Sequence, residues 1–226
     1  MELFSENQSL RHNPSPEVLA QSYQVEKFLE TVDMETLNLI MEELLDRSGV
    51  DHAQKHDIKK NVAHEPSRKA SGWHENREIF VNASKYNFND DYKKDYRRIL
   101  STYIHEHIHA VAAAREGGST GFQQTLKSGE KKNLPINEGF TELIADYVYE
   151  EYLSRTGEAV RLGHISHKRT VKGYLEERAD ASALIEKMSQ DSGIPEDVVF
   201  GAYIRAYFSR DLDSLDKSLE EVYGNA

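Results

Sequence analysis

The chain has no cysteine. That excludes disulfides, thiol catalysis and thiolate-bound metal, so any metal site must be built from histidines and carboxylates. No stretch approaches 18 apolar residues, so no membrane span is expected. Met1 to Pro16 holds no basic segment followed by an apolar run, so no secretory leader is expected. The expected location is cytoplasmic, or outside the cell by a route without a visible N-terminal signal. A basic excess is missing too: 28 Lys and Arg stand against 39 Asp and Glu, for a formal net charge of -11. Such a chain repels phosphate backbones, so nucleic acid is not an expected partner. The glycine-rich stretch Gly117-Gly118-Ser119-Thr120-Gly121 lacks a following GK[ST], so it is not a phosphate loop.

Against these absences stands Tyr103-Ile104-His105-Glu106-His107-Ile108-His109-Ala110. It contains His-Glu-x-x-His. On a helix, His105 and His109 stack on one face and can reach one point in space. A catalytic zinc ion is usually held by three protein ligands with one open position. Glu106, beside the first histidine, can lean toward that position as a general base for a metal-activated water. His107 lies about 200° around the helix from His105 and should point away from the metal. A second pair, His52 and His56, has ligand spacing but no Glu after His52, and is expected to be solvent-exposed.

In chain order, Ser15 caps a helix opening at Pro16. A second helix starts near Asp33, carries Leu37, Ile40, Met41, Leu44 and Leu45 on one face, and ends at Gly49. Residues 51–72 are polar and mixed. Glu78 to Ala83, with Ile79, Phe80 and Val81 in succession, reads as a short strand. It would either serve the core alone or hold an extended substrate by edge pairing. A long helix, capped by Asn89 or Asp90, runs to about Glu116 and carries the histidine motif. Residues 117–134 form a loop. The next helix opens near Pro135 and ends at Gly157. Further helices are expected up to about Gln190, from Val198 to Phe208, and through Leu215 to Gly224.

The helix from Pro135 supplies the third ligand. Glu138 and Glu142 lie one turn apart on the same side of a helix otherwise striped with Leu143, Ile144, Tyr147 and Val148. Two carboxylates there are costly unless something positive meets them. A zinc ion with two histidines would be that partner. Glu138 would bind it, and Glu142 would accept the outer N–H of a liganding histidine.

IHEHIHA followed by INEGFTELIADY resembles the zincin superfamily of metallopeptidases, and its gluzincin branch in particular. NEGFTE is also similar to the EGxTE or EGxAE signature of bacterial gluzincin groups, including collagenase-like enzymes. The resemblance covers about residues 78 to 156. It implies His105, His109 and Glu138 as zinc ligands, Glu106 as general base and acid, and Glu142 behind a ligand. The connection from His109 to Glu138 is longer than in thermolysin-like members, as an insertion in the polar loop would make it. Ala112-Ala113-Ala114-Arg115 excludes the HExxHxxGxxH pattern of metzincins. In gluzincins the donor to the developing oxyanion lies downstream of the third ligand. Tyr174, which closes a loop and opens a helix, is the first candidate here, with His164 and His167 next.

The expected architecture is therefore α+β and mainly helical: a zincin-like fold with a small sheet and a helical C-terminal lobe. It forms a single catalytic domain over 1–226, with a helical part at 1–72, a metal-site core at 73–156 and the C-terminal lobe at 157–226. The expected function is a zinc metallopeptidase acting on a peptide or protein, including a narrow substrate of the kind an effector or toxin attacks. The alternative is a catalytically inactive zincin-like binding protein.

Overall fold

A computed structural model describes residues 15–50, 58–75, 78–88, 91–115, 121–122, 124–125, 131–132, 134–163 and 174–209. The described chain is mainly helical with a small mixed sheet, an α+β arrangement.

Two capped helices open it. Helix α1 spans Pro16–Glu30, and the Ser15 hydroxyl accepts the Val18 N–H at 3.3 Å. Helix α2 spans Met34–Arg47, and Asp33 accepts both the N–H and the hydroxyl of Thr36. Gly49, at φ +70°, turns the chain so that the Val50 N–H reaches the Leu45 carbonyl at 2.9 Å. A side chain at that φ would be strained, which is why a glycine stands there.

Three strands follow: β1 (Lys59–Ala63), β2 (Gly72–Glu75) and β3 (Glu78–Asn82). The order is β1-β3-β2, with β1 parallel and β2 antiparallel to β3. The strand expected at 78–83 is therefore the central one. Both its ladders are filled, so it has no free edge for a substrate, and β2 is an edge strand instead. Residues 51–72 were expected to be polar and mixed, yet they contain β1, whose sequence KKNVA alternates too poorly to announce a strand. Asn82 fixes the crossover between β1 and β2. Fully buried, its amide donates to the carbonyls of Glu65 and Ala70 and accepts the Glu65 N–H.

Ile79, Val81, Gly72 and His74 share the sheet face turned toward helix α3, as the period of two requires. On the other face Trp73 stacks on Phe80 at 5.1 Å, and the Arg68 guanidinium lies 3.8 Å from the Trp73 ring centre.

Helix α3 spans Tyr92–Arg115. The Asp91 carboxylate caps it, accepting the Lys94 N–H at 3.0 Å; Asn89 and Asp90, the expected caps, lie outside the described residues. Two-residue strands β4 (Gln124–Thr125) and β5 (Lys131–Lys132) pair within the stretch expected to be only loop. Helix α4 spans Leu134–Thr156, α5 Glu158–Leu162, α6 Leu175–Ser192 and α7 Glu196–Ser209. The helix expected over 215–224 lies outside the described residues. Helix α4 is central: it packs on α2, α3 and α6 and buries Phe140, Ile144, Val148 and Tyr152. Among the described residues no helix is long and apolar enough to cross a membrane.

Candidate metal centre

Helices α3 and α4 bring His105, His109 and Glu138 together, and all three are buried. Nε2 of His105 and Nε2 of His109 lie 3.1 Å apart. Glu138 Oε2 lies 3.2 Å from the first and 3.4 Å from the second. Three donor atoms thus converge on one point, and the group could hold a metal ion. The two imidazoles meet edge to face at 78°, which lets both ring nitrogens aim at that point without stacking.

The outer nitrogens have partners as well. His105 Nδ1 is 2.7 Å from Glu142 Oε1. His109 Nδ1 is 3.3 Å from the Tyr207 hydroxyl, which reaches the site from α7. His107 is buried but lies outside the cluster, tilted against Tyr103 at 6.1 Å. His52, His56, His164 and His167 lie outside the described residues.

Glu106 follows His105 and faces β2. Its Oε2 is 3.5 Å from Nδ1 of His74, whose ring stacks on His109 at 5.5 Å. Gly72 makes this approach possible. A Cβ there would stand 2.6 Å from Thr102 Cγ2 and 3.0 Å from Glu106 Cγ, closer than carbon atoms pack. Burial pushes the Glu106 carboxyl up, but the His74 hydrogen bond and the fields of His105 and His109 outweigh it. The net position is below the usual carboxylate range, so Glu106 is ionised at neutral pH.

Tyr174 caps α6, and its ring lies parallel to His105 at 5.7 Å. It is the one described non-glycine residue with positive φ, at 57°. A conformation this uncommon for an aromatic residue needs surroundings that hold it. Gly139 supplies part of them: a Cβ on it would collide with the Glu177 carbonyl and Ala181, so its absence lets the first turns of α6 lie directly on α4. Burial and the nearby Glu138, Glu106 and Glu142 push the Tyr174 phenol up to about 12, so it stays protonated and can donate.

Nothing in the sequence marks His74, Gly72 or Tyr207 as members of this cluster. His74 sits on a four-residue strand, and Tyr207 joins from 98 residues beyond His109. The one available hint was Thr141, inside the quoted NEGFTE.

No protein-family model matches the chain, and neither the curated proteins nor the solved structures contain a significant match.

Proposed function

We propose that the chain is a zinc-dependent metallopeptidase of gluzincin type, built on a zincin-like fold. The spacing of three donor atoms carries the reading. Ligands at about 2.0–2.1 Å from a tetrahedral ion stand about 3.3 Å from one another. The atoms of His105, His109 and Glu138 stand 3.1, 3.2 and 3.4 Å apart. Two neutral imidazoles and one carboxylate are a common catalytic zinc set, and they leave a fourth position open. When bound, zinc supplies Lewis-acid activation of water and of a carbonyl oxygen.

The chain's own residues supply the rest. Glu106, held ionised, takes a proton from the attacking water and returns it to the leaving amine. His74 bonds the Glu106 carboxylate and orients it. Glu142 fixes the His105 ring. Tyr174, protonated and beside His105, donates to the oxygen that gains charge. An extended peptide adds to the sheet along the edge strand β2, which lies over the Glu106 turn. The substrate is a peptide or protein, and the narrow, effector-like substrate belongs to this same proposal.

The second reading is a catalytically inactive zincin-like binding protein. It would use the same buried cluster without turnover. Metal analysis with paired variants separates the two. The catalytic reading expects about one zinc per chain, lost in His105→Ala. It expects Glu106→Gln to keep zinc while cleavage of a peptide library drops by roughly 10²- to 10⁴-fold. Library cleavage undiminished in Glu106→Gln would sink the mechanism. A wild type that takes up no zinc when loaded would sink the metal site.

A further inference from the structure

We propose that Tyr207 and Thr141 form a hydrogen-bond relay that positions the His109 ligand, which makes helix α7 part of the metal centre. The inference rests on the metallopeptidase reading above. The relay runs from His109 Nδ1 to the Tyr207 hydroxyl at 3.3 Å, on to Thr141 Oγ1 at 2.7 Å, and ends at the Asn137 carbonyl at 2.8 Å.

Its direction follows from the chemistry of the two ends. The Asn137 carbonyl can only accept, so the Thr141 hydroxyl donates to it. The Thr141 oxygen is then free to accept from the Tyr207 O–H. The Tyr207 oxygen, having given its proton away, accepts from Nδ1–H of His109. With the proton on Nδ1, the lone pair of Nε2 faces His105 and Glu138, as a metal ligand requires. The reverse direction would put the proton on Nε2, pointing into the ligand cluster, and would forfeit the bond from the Thr141 hydroxyl to the Asn137 carbonyl.

The surroundings leave the phenol little freedom. Tyr207 is fully buried, and edge-to-face contacts with Phe122 and Phe208 fix its ring. Gly121, at φ +52°, makes room: a Cβ there would overlap the Tyr207 ring. The side-chain Oδ1 of Asn137 in turn accepts the Phe122 N–H at 2.9 Å, which ties the residue whose backbone carbonyl ends the relay to the residue whose ring wedges the tyrosine.

A neutral partner also suits the charge of the site. Glu106, Glu138 and Glu142 already place three carboxylates around a position meant for a divalent cation. A fourth would leave excess buried negative charge, which costs several kcal/mol when it lacks a counter-ion. Tyr207 can stay neutral, because burial pushes its phenol well above the usual range. The two histidines are therefore held unequally, His105 by a carboxylate and His109 by a neutral relay.

The test follows zinc itself, independent of any substrate. Zinc-loaded full chain is mixed with excess chelator, and the rate of zinc loss is measured for wild type, Tyr207→Phe, Thr141→Val and Thr141→Ser. Melting of each metal-free form and the d–d absorption of each cobalt-loaded form are recorded alongside. Phenylalanine keeps the packing and removes only the hydroxyl, so Tyr207→Phe should lose zinc about 10- to 100-fold faster and shift the cobalt bands. Thr141→Val should go the same way by about two- to tenfold, and Thr141→Ser, which keeps the hydroxyl, should restore the wild-type rate. A Tyr207→Phe protein that melts lower but releases zinc at the wild-type rate would show a packing residue and overturn the relay. So would a serine variant as impaired as the valine one. A wild type that binds no zinc would overturn the metallopeptidase reading and the relay with it, an outcome distinct from both.

Discussion

Helices α2 and α4 pack against each other, yet they are buried for different reasons. The face that α2 turns inward is Leu37, Ile40, Met41, Leu44 and Leu45, while Glu35, Asn38 and Leu39 face solvent. Burying each of those side chains is favourable in itself, by roughly 1.5–3 kcal/mol. Helix α4 buries Asn137, Glu138, Thr141 and Glu142 along with its aromatic and aliphatic residues. Those polar groups lower stability unless each finds a partner. Glu138, Glu142 and Thr141 meet His105, His109 and Tyr207, and the Asn137 Oδ1 accepts the Phe122 N–H. The contrast teaches where to look for function: α2 is explained by its core, and α4 only by what its polar groups hold.

The sharpest way to break this contrast is a pair of substitutions. Glu138→Gln should reduce zinc uptake to background, read by metal analysis, while circular dichroism shows the fold retained. Leu37→Ala should do the opposite. It removes a fully buried leucine and should lower stability by about 2–5 kcal/mol in denaturant unfolding, with zinc stoichiometry unchanged. If Leu37→Ala loses zinc in conditions where it is folded, the two helices are not separable in role.

A smaller effect is expected at Gly139→Ala. The new methyl would press on the Glu177 carbonyl backbone, which cannot yield as a flexible side chain would. Overpacking of this kind costs about 1–3 kcal/mol. The strain should also pull the first turn of α6, and Tyr174 with it, off His105. Peptide cleavage should therefore fall more than zinc content does. An alanine variant that keeps wild-type cleavage and stability would mean that the close approach of α4 and α6 does not set the position of Tyr174.

What could be read from the sequence was local. Ser15-Pro16, Asp33 and Gly49 announce α1 and α2, because caps and stops act within one turn. The His105–His109 and Glu138–Glu142 pairs are legible for the same reason, since a spacing of four residues on a helix is already a geometry. Strands β1 and β2 escaped, being short and without clear alternation. The segment 78–83 read correctly as a strand, but its central place in the sheet depends on pairing with those two. His74 and Tyr207 escaped because only tertiary packing brings them to α3. No periodicity records that a strand residue meets Glu106 or that a tyrosine on α7 meets His109.

The smallest effect concerns protons, and it tests whether the α4 carboxylates hold charge in the metal-free protein. Burial pushes the His105 imidazole down from its ordinary 6.5, but hydrogen bonds to Glu138 and Glu142 outweigh it and raise the group to about 10. Burial acts on His109 with less compensation, so its position is lowered and it is neutral at pH 7. Zinc needs both rings neutral, so its uptake at pH 7.5 should expel one proton, that of His105. Apparent zinc affinity should then rise about tenfold per pH unit, flattening near the His105 value. The sign for folding is the reverse. A group raised above its unfolded value stabilises the metal-free fold below about 6.5, and that contribution is lost as pH rises through about 10. Glu138, held below the usual carboxylate range, contributes above its unfolded value and loses that contribution in acid. Calorimetry of zinc binding in two buffers of different ionisation enthalpy counts the proton directly. A count of zero would mean that His105 is neutral before metal arrives. The carboxylates of α4 would then be partners of the ion alone.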